Sequence, residues 1–427
     1  MANSPVTAII VGAGHRAMAY AEYSLSHPEE LKIVGVAELD EYRRSSVKEL
    51  FNIPDEHCFE SADALASVPK FADAVINGTM DEMHVSTSLP LLKAGYDMLL
   101  EKPFAVNDDE LTELTETVEK YGNKVMICHV LRYNPVYSTI KKSILSGEIG
   151  DIINIQTVEN VSYHHLSTSF VRGKWGNSKK CHTSMLLAKC CHDLDLMTWL
   201  MGDDKPVSVS STGSRFQFRE ENAPENAGER CLVDCPHKDT CLFSAKRLYL
   251  DHPDNWEVYI WRDIEHIKNP TYEDYKKSLM ESPYGRCIYK CDNDVVDHQS
   301  VLINFESGAT GTHNLTGGSA ESLRTIRVIG TRGEIYGELE NKYVKIKVIN
   351  PTPTTYFDER VVDLSDTPDE GHGGADVLLT TDFVKFIKGE KTSPSCTDIR
   401  SSVPGHKVIF LADKSMEQGG KTMEIQN

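Results

Sequence analysis

The apolar, β-branched run Val6 to Val11 leads directly into Gly12-Ala13-Gly14-His15-Arg16-Ala17. A strand that feeds a G-x-G-x-x-A turn and then a helix opens a dinucleotide-binding βαβ unit. Gly12 permits the tight turn. Gly14 lets a pyrophosphate approach the backbone. Ala17 is small enough for helix and strand to pack closely. His15 and Arg16 complete the candidate cofactor-binding turn, and the helix that follows turns its free N–H groups to the anion. The helix is expected from Arg16 to about Ser26, and a second strand from Leu31 to Glu38. Glu38 lies about 20 residues beyond the fingerprint, the spacing of an acid that accepts the ribose hydroxyls of NAD and repels a 2′-phosphate. Arg43 and Arg44 follow closely enough to meet such a phosphate, so NADP stays open beside NAD.

The alternation continues. Ala72 to Asn77 reads as a strand, Val85 to Ala94 as a helix kinked at Pro90, and Asp97 to Leu100 as a strand. That strand runs into Glu101-Lys102-Pro103-Phe104. A helix is expected from Asp108 to Tyr121, with Asn107 as N-cap, Glu110 completing a capping box, Val106 stapled onto Leu111, and Gly122 as the stop. Val125 to Cys128 is a further strand. Strands alternating with helices define a doubly wound parallel sheet of Rossmann type. The second half reads differently. Ile152 to Val161, Val207 to Gly213, Val295 to Phe305, Thr310 to Leu315, Thr325 to Val328 and Val344 to Val348 are strand-like, separated by Gly, Ser and charged turns. They predict an α/β domain with a large, mostly antiparallel open sheet. The expected division is 1–130 for the dinucleotide-binding domain and 131–427 for a substrate-binding and oligomerisation domain.

The formal net charge is -19, which disfavours nucleic acid and anionic membrane as partners. No basic segment precedes Val6 and no apolar run is long enough to span a bilayer, so a cytoplasmic protein is expected. Eleven cysteines, an odd number, argue against a disulfide framework.

Several segments together resemble the glucose–fructose oxidoreductase, inositol dehydrogenase and rhizopine catabolism (Gfo/Idh/MocA) family. These are the glycine fingerprint, Thr79 to His84 after a strand, and Glu101-Lys102-Pro103-Phe104 at the end of another. His129-Val130-Leu131-Arg132-Tyr133-Asn134-Pro135, Ser146-Gly147-Glu148-Ile149-Gly150, Cys191-His192-Asp193-Leu194-Asp195 and Val328-Ile329-Gly330-Thr331-Arg332-Gly333 follow in order. The resemblance implies NAD(P)-dependent oxidation of a ring hydroxyl of a sugar, glycoside or cyclitol, with a glycoside's 3-position as one candidate. It implies a homo-oligomer, dimer or tetramer, built on the open sheet. It places Thr79, His84, Glu101 and Lys102 against the cofactor, and Lys102 and His192 at the reacting hydroxyl.

Oxidising a secondary alcohol needs a base for the hydroxyl proton and a fixed carbinol carbon. A lysine among neighbours of low polarity can have its proton affinity lowered for that work. The family carries an aspartate four residues before the histidine; here that position is Ala188, and Lys189 is the candidate to stand in. Cys191 is expected to open a helix ending at Gly202. The segment Tyr163 to Trp175 mixes aromatic and hydrogen-bonding groups, the mix that binds sugars. Tyr163, His165, Arg172 and Trp175 are its candidates, with His298 further along. Gly371-His372-Gly373-Gly374 either brings His372 to the site or only turns the chain. An insertion from about 216 to 292 carries Cys231, Cys235, Cys241, Cys287 and Cys291 and is rich in aromatic residues, reading as a lid or subunit contact. Its cysteines could bind a metal, pair or stay free. Two other readings stay open: an NAD-retaining glycosidase, and a non-catalytic sensor of sugar or NAD.

Overall fold

The computed structural model describes residues 4–369 and 371–425. Met1 to Asn3, on which the export reading partly rests, lie outside them. The first sheet holds β1 (Val6–Val11), β2 (Leu31–Ala37), β3 (Cys58–Phe59), β4 (Ala74–Asn77), β5 (Asp97–Leu100) and β6 (Val125–Ile127). All pairings are parallel, in the order β3-β2-β1-β4-β5-β6. Every residue of β4 is buried, as expected of a strand covered on both faces. The order reverses between β1 and β4, and such a switch point opens a crevice at the strands' C-terminal ends. The fingerprint helix is shorter than expected: it runs His15–Ala21, and a separate turn follows at Tyr23–Ser26. Helix Asp108–Tyr121 starts on the Asn107 side chain, which accepts from the Glu110 N–H at 2.9 Å. Glu110 reaches the Val106 N–H, one residue earlier than a capping box requires.

The second sheet holds β7 (Ile152–Ser162), β8 (Pro206–Ser214), β9 (His298–Phe305), β10 (Thr310–Ser319), β11 (Leu323–Gly330), β12 (Gly333–Glu338), β13 (Tyr343–Ile349), β14 (Phe357–Asp363) and β15 (Met423–Glu424). Their order is β14-β13-β12-β11-β7-β10-β9-β8-β15. Among the described residues of this sheet only β7 and β10 pair in parallel. Side chains alternate: β9 buries Gln299, Val301, Ile303 and Phe305 and turns His298, Ser300 and Leu302 outward. Helices Met185–Met201 and Ile399–Glu417 pack on each other and on the inner face.

Helix Met185–Met201 corrects the sequence reading. It starts two turns before Cys191, where the Ser184 hydroxyl accepts from the Leu187 N–H at 3.0 Å. His192, Asp193 and Asp195 therefore sit inside a buried helix and cap nothing. Among the described residues no helix is long and apolar enough to cross a membrane.

Candidate active site

One cleft of about 1580 Å³ runs from the glycine loop across the ends of β1, β4 and β5 to the second domain. At its base Gly12 has φ +77°, and a Cβ there would meet the Thr79 backbone nitrogen at 2.8 Å. A Cβ on Gly14 would meet nothing closer than the Gly78 carbonyl oxygen at 3.7 Å, so the loop presents bare backbone to the cleft. Ala17 packs so tightly that a Cβ on Gly78 would come within 2.7 Å of its own. Glu38 lines the same wall, where its carboxylate accepts from the Ala13 N–H at 2.6 Å and the Asp40 N–H at 2.9 Å. A cradle that a side chain would fill, with an acid beside it, fits a dinucleotide's pyrophosphate and ribose.

Arg16 links three separate parts of the chain. It donates to Glu101 at 3.3 Å and to Asp376 at 2.6 Å. Asp376 follows the loop in which Gly371, His372, Gly373 and Gly374 all have positive φ. That left-handed run brings His372 to the cleft, with its Nδ1 3.2 Å from Asp376. Asp376 carried no local signal; its partner is 360 positions away. His84 lies between the Pro103 and Thr79 carbonyls, at 2.7 and 3.0 Å, and fixes the turn after β4 to the turn after β5.

Lys102 emerges from the end of β5, before a cis Pro103 peptide, and donates from Nζ to the Ala188 carbonyl at 3.1 Å. The backbone of Ala188 thus meets the amine at the position where the resemblance implies an aspartate. The expectation of a lowered proton affinity for Lys102 is overturned. Burial alone would lower it, but Cys191, Glu101 and Asp81 around the amine outweigh burial and raise its pKa. The shift favours the ammonium form of Lys102. His192 has the opposite character. Burial, then the charges of Lys102 and the neighbouring His129, hold its pKa well below the ordinary 6.5. Its Nδ1 is buried without a hydrogen-bond partner among the described residues. The His129 ring stands edge-on to it at 5.7 Å. Lys189 also lines the cleft and pairs with Glu159 at 3.1 Å, which pairs in turn with Arg324 at 2.6 Å.

His165 and Trp175 line the far wall. His165 packs on Trp256 of the insertion, with centroids 4.2 Å apart. Trp175 donates from its indole to Asp81 at 2.7 Å, tying this wall to the Rossmann side. Arg172 also lines the cleft, but its guanidinium is engaged by the insertion: it donates to the Phe243 carbonyl at 2.7 Å and the Arg286 carbonyl at 2.9 Å. Tyr163 and His298 are not brought to the cleft. Tyr163 faces Phe243, and His298, on the outward face of β9, lies 2.9 Å from Asp297. The insertion also reaches the Rossmann side of the cleft. Arg43 forks onto Glu265 at 2.9 and 2.8 Å.

This is the fold and cleft of an NAD-binding oxidoreductase. Residues 6–129 match the family model for the NAD-binding Rossmann fold of the Gfo/Idh/MocA oxidoreductases. Residues 141–425 match the model for the family's C-terminal alpha/beta domain. The chain belongs to this family. Trans-1,2-dihydrobenzene-1,2-diol dehydrogenase of Xenopus laevis is 25% identical over 191 residues, 43% of this chain and 52% of that protein. Inositol 2-dehydrogenase of Leifsonia xyli is 26% identical over 187 residues, covering 42% and 48%. Each match thus spans about half of the relative's length. The inositol dehydrogenase homologue of Azotobacter vinelandii, solved with NADH and myo-inositol, superimposes with TM-score 0.68 at 15% identity, covering 99% of this chain and 98% of that one. At that identity the likeness shows the fold.

Proposed function

We propose that this chain oxidises a ring hydroxyl of a sugar, glycoside or cyclitol, with Lys102 and His192 handling the hydroxyl proton. The observation that carries the reading is the pairing of a lysine whose shift favours the ammonium form with an unpartnered neutral imidazole on the wall of the cleft that begins at the glycine loop. Bound NAD supplies the hydride acceptor. Lys102 donates to the substrate oxygen and stabilises negative charge as it develops there. Neutral His192 accepts the proton. His165 and Trp175 offer the aromatic and polar wall that a ring with hydroxyls requires. A panel of cyclitols, free sugars and glycosides assayed for NAD reduction, with product NMR to place the ketone, tests this. No ketone from any of them would remove it.

The two ionisation states fix a pH profile. The base works while neutral, and its pKa lies well below 6.5, so the acid limb of kcat/KM should fall well below pH 6.5. The ammonium is lost only above its ordinary 10.5, so no alkaline limb from Lys102 should appear below that pH. An acid limb centred at 6.5 or higher would contradict the assignment of His192.

Cofactor choice belongs to the same proposal. Glu265 occupies both edges of Arg43, which is therefore not free to meet a 2′-phosphate. Glu265→Ala should release it and tighten NADPH binding roughly tenfold, the scale of one charge-assisted hydrogen bond, with NADH little changed. Fluorescence titration with both cofactors checks this; unchanged NADPH affinity would deny Arg43 that role.

The same closure favours one second reading, an NAD-retaining glycosidase of the family, because the insertion lies across the cofactor end of the cleft. Glycoside hydrolysis without net NADH, by protein that keeps its NAD through gel filtration, would select it.

A further inference from the structure

The reaction above leaves the cysteines of the insertion without a task. Four of them, Cys231, Cys235, Cys241 and Cys287, line one small cavity behind the wall of the cleft. They arrive on two segments that cross at the bridge between Arg230 and Arg286. The Cys231 N–H donates to the Gly285 carbonyl at 2.9 Å, and the Cys287 N–H to the Glu229 carbonyl at 2.8 Å. The loop from Cys231 to Cys235 is equally fixed. The Asp234 carboxylate accepts from the Glu229 N–H at 3.0 Å and the Arg230 N–H at 2.8 Å. A Cβ on Gly228 would meet the Cys235 nitrogen at 2.7 Å, so the turn closes tightly. Cys241 follows a turn in which its N–H donates to the His237 carbonyl at 2.8 Å. Apart from the 3-10 turn Glu220–Asn222, the described chain between β8 and residue 245 has no regular element. Irregular backbone held in one place, with four thiols facing one hollow, has the character of a ligand cage.

We propose that Cys231, Cys235, Cys241 and Cys287 ligate a metal centre, and that it is an iron–sulfur cluster. Thiolates are soft ligands that select zinc, copper(I) or iron–sulfur groups. Spacing separates these choices. Four sulfurs about 2.3 Å from a single zinc ion stand about 3.8 Å from one another in a tetrahedron. Among the described residues, three possible ligand atoms lie within 4.8 Å of one another only at Cys190, Asp193 and His313. No three of the cavity's sulfurs are drawn together that closely. Wider spacing around a hollow suits a cluster that puts its own iron and sulfide between the cysteines. Cys190, Asp193 and His313 make a poorer cage, because Arg324 already lies 3.2 Å from Asp193 and holds Glu159 beside it. The centre's place in the molecule is between cleft and insertion. Arg172 borders both cavities, and its guanidinium lies 3.8 Å from the Cys231 sulfur. A filled cage would therefore brace the wall that carries His165 and Trp175.

The full chain, purified without oxygen, is analysed for iron, acid-labile sulfide and zinc, with its visible spectrum. The expected result is iron and sulfide in near-equal amounts and a broad visible absorption that bleaches on reduction. Cys235→Ser should lose both, whereas Cys58→Ser, which changes a thiol far from the cavity, should keep both. One zinc per chain, lost in Cys235→Ser, would uphold the four-thiolate site and overturn the cluster. Metal-free protein whose native fold leaves these thiols open to alkylation would overturn the site itself.

Discussion

Lys102→Met is expected to lower turnover by at least about 10³-fold, the combined scale of one lost oxyanion donor and one lost acid–base group. NAD binding should be nearly unchanged. The two outcomes are expected to separate because the glycine loop and Glu38 come from the ends of β1 and β2, whereas Lys102 comes from the end of β5 and His192 from helix Met185–Met201. Gly12, Gly14 and Glu38, which line the cleft, are expected to keep their places when the amine is removed. Glu101 also keeps partners, Arg16 at 3.3 Å and the Tyr20 hydroxyl at 2.9 Å, so no buried carboxylate is stranded. Methionine matches the lysine stem in length and fills the same space. What it lacks is the charge facing the substrate oxygen. Stopped-flow assay and NADH titration of the variant check both halves. A variant that keeps a tenth of the normal rate would take Lys102 out of the chemistry. A parent protein that binds NAD and sugar but never turns over would favour a sensor.

Asp195→Ala is expected to destabilise the chain by about 3–5 kcal/mol, the cost of stranding a buried charge. Asp195 and Arg132 are each 1% exposed and meet as a fork, with distances of 2.7 and 2.6 Å. The pair joins the turn after β6 to the helix that carries His192. Arg132 also donates to Ser401 Oγ at 2.9 Å, so one guanidinium ties three segments behind the site. Without Asp195 the guanidinium keeps these neutral partners and no counter-charge. Urea unfolding should show the loss in the midpoint of the earliest transition. Replacing both residues by apolar ones of similar size, Arg132→Met with Asp195→Leu, should recover much of it. If the single variant costs under about 1 kcal/mol, the pair is not the brace described.

The Rossmann half was legible because each of its signals is local. A β-branched run, a glycine turn and an acid at the next strand's end lie within a few tens of residues, and β1, β2, β4 and β5 fall within two residues of their expected bounds. The second sheet was legible in outline. β12 was missed because Gly333–Glu338 is short and holds two glycines, and β14 because Phe357–Asp363 is an almost wholly exposed edge without an apolar alternation. Helix Met185–Met201 is buried on nearly every side, so it shows no stripe from which its start could be read. That is why His192 was expected at a helix start and lies in its middle.

Site residues divide on the same ground. Lys102 and the glycine loop sit in motifs. The ionisation of Lys102 does not, because Cys191 and Asp81 reach it from other segments. Arg172 and His298 were picked from polar neighbourhoods in the sequence, but only folding decides which way such side chains point. Asp376 and Arg324 reach the site from distant elements and had no pattern to mark them.

In the proposed reaction the carbinol hydrogen of a ring hydroxyl leaves for the nicotinamide while Lys102 and His192 manage the proton. A substrate deuterated at that carbon, reacted in ordinary water, tests it directly. The label is expected at C4 of the reduced nicotinamide, with a slowed hydride step in wild-type protein and at least about 10³-fold slower labelling of the cofactor with Lys102→Met. Deuterium released to water instead, or substrate consumed with the label still on its carbon, would contradict it.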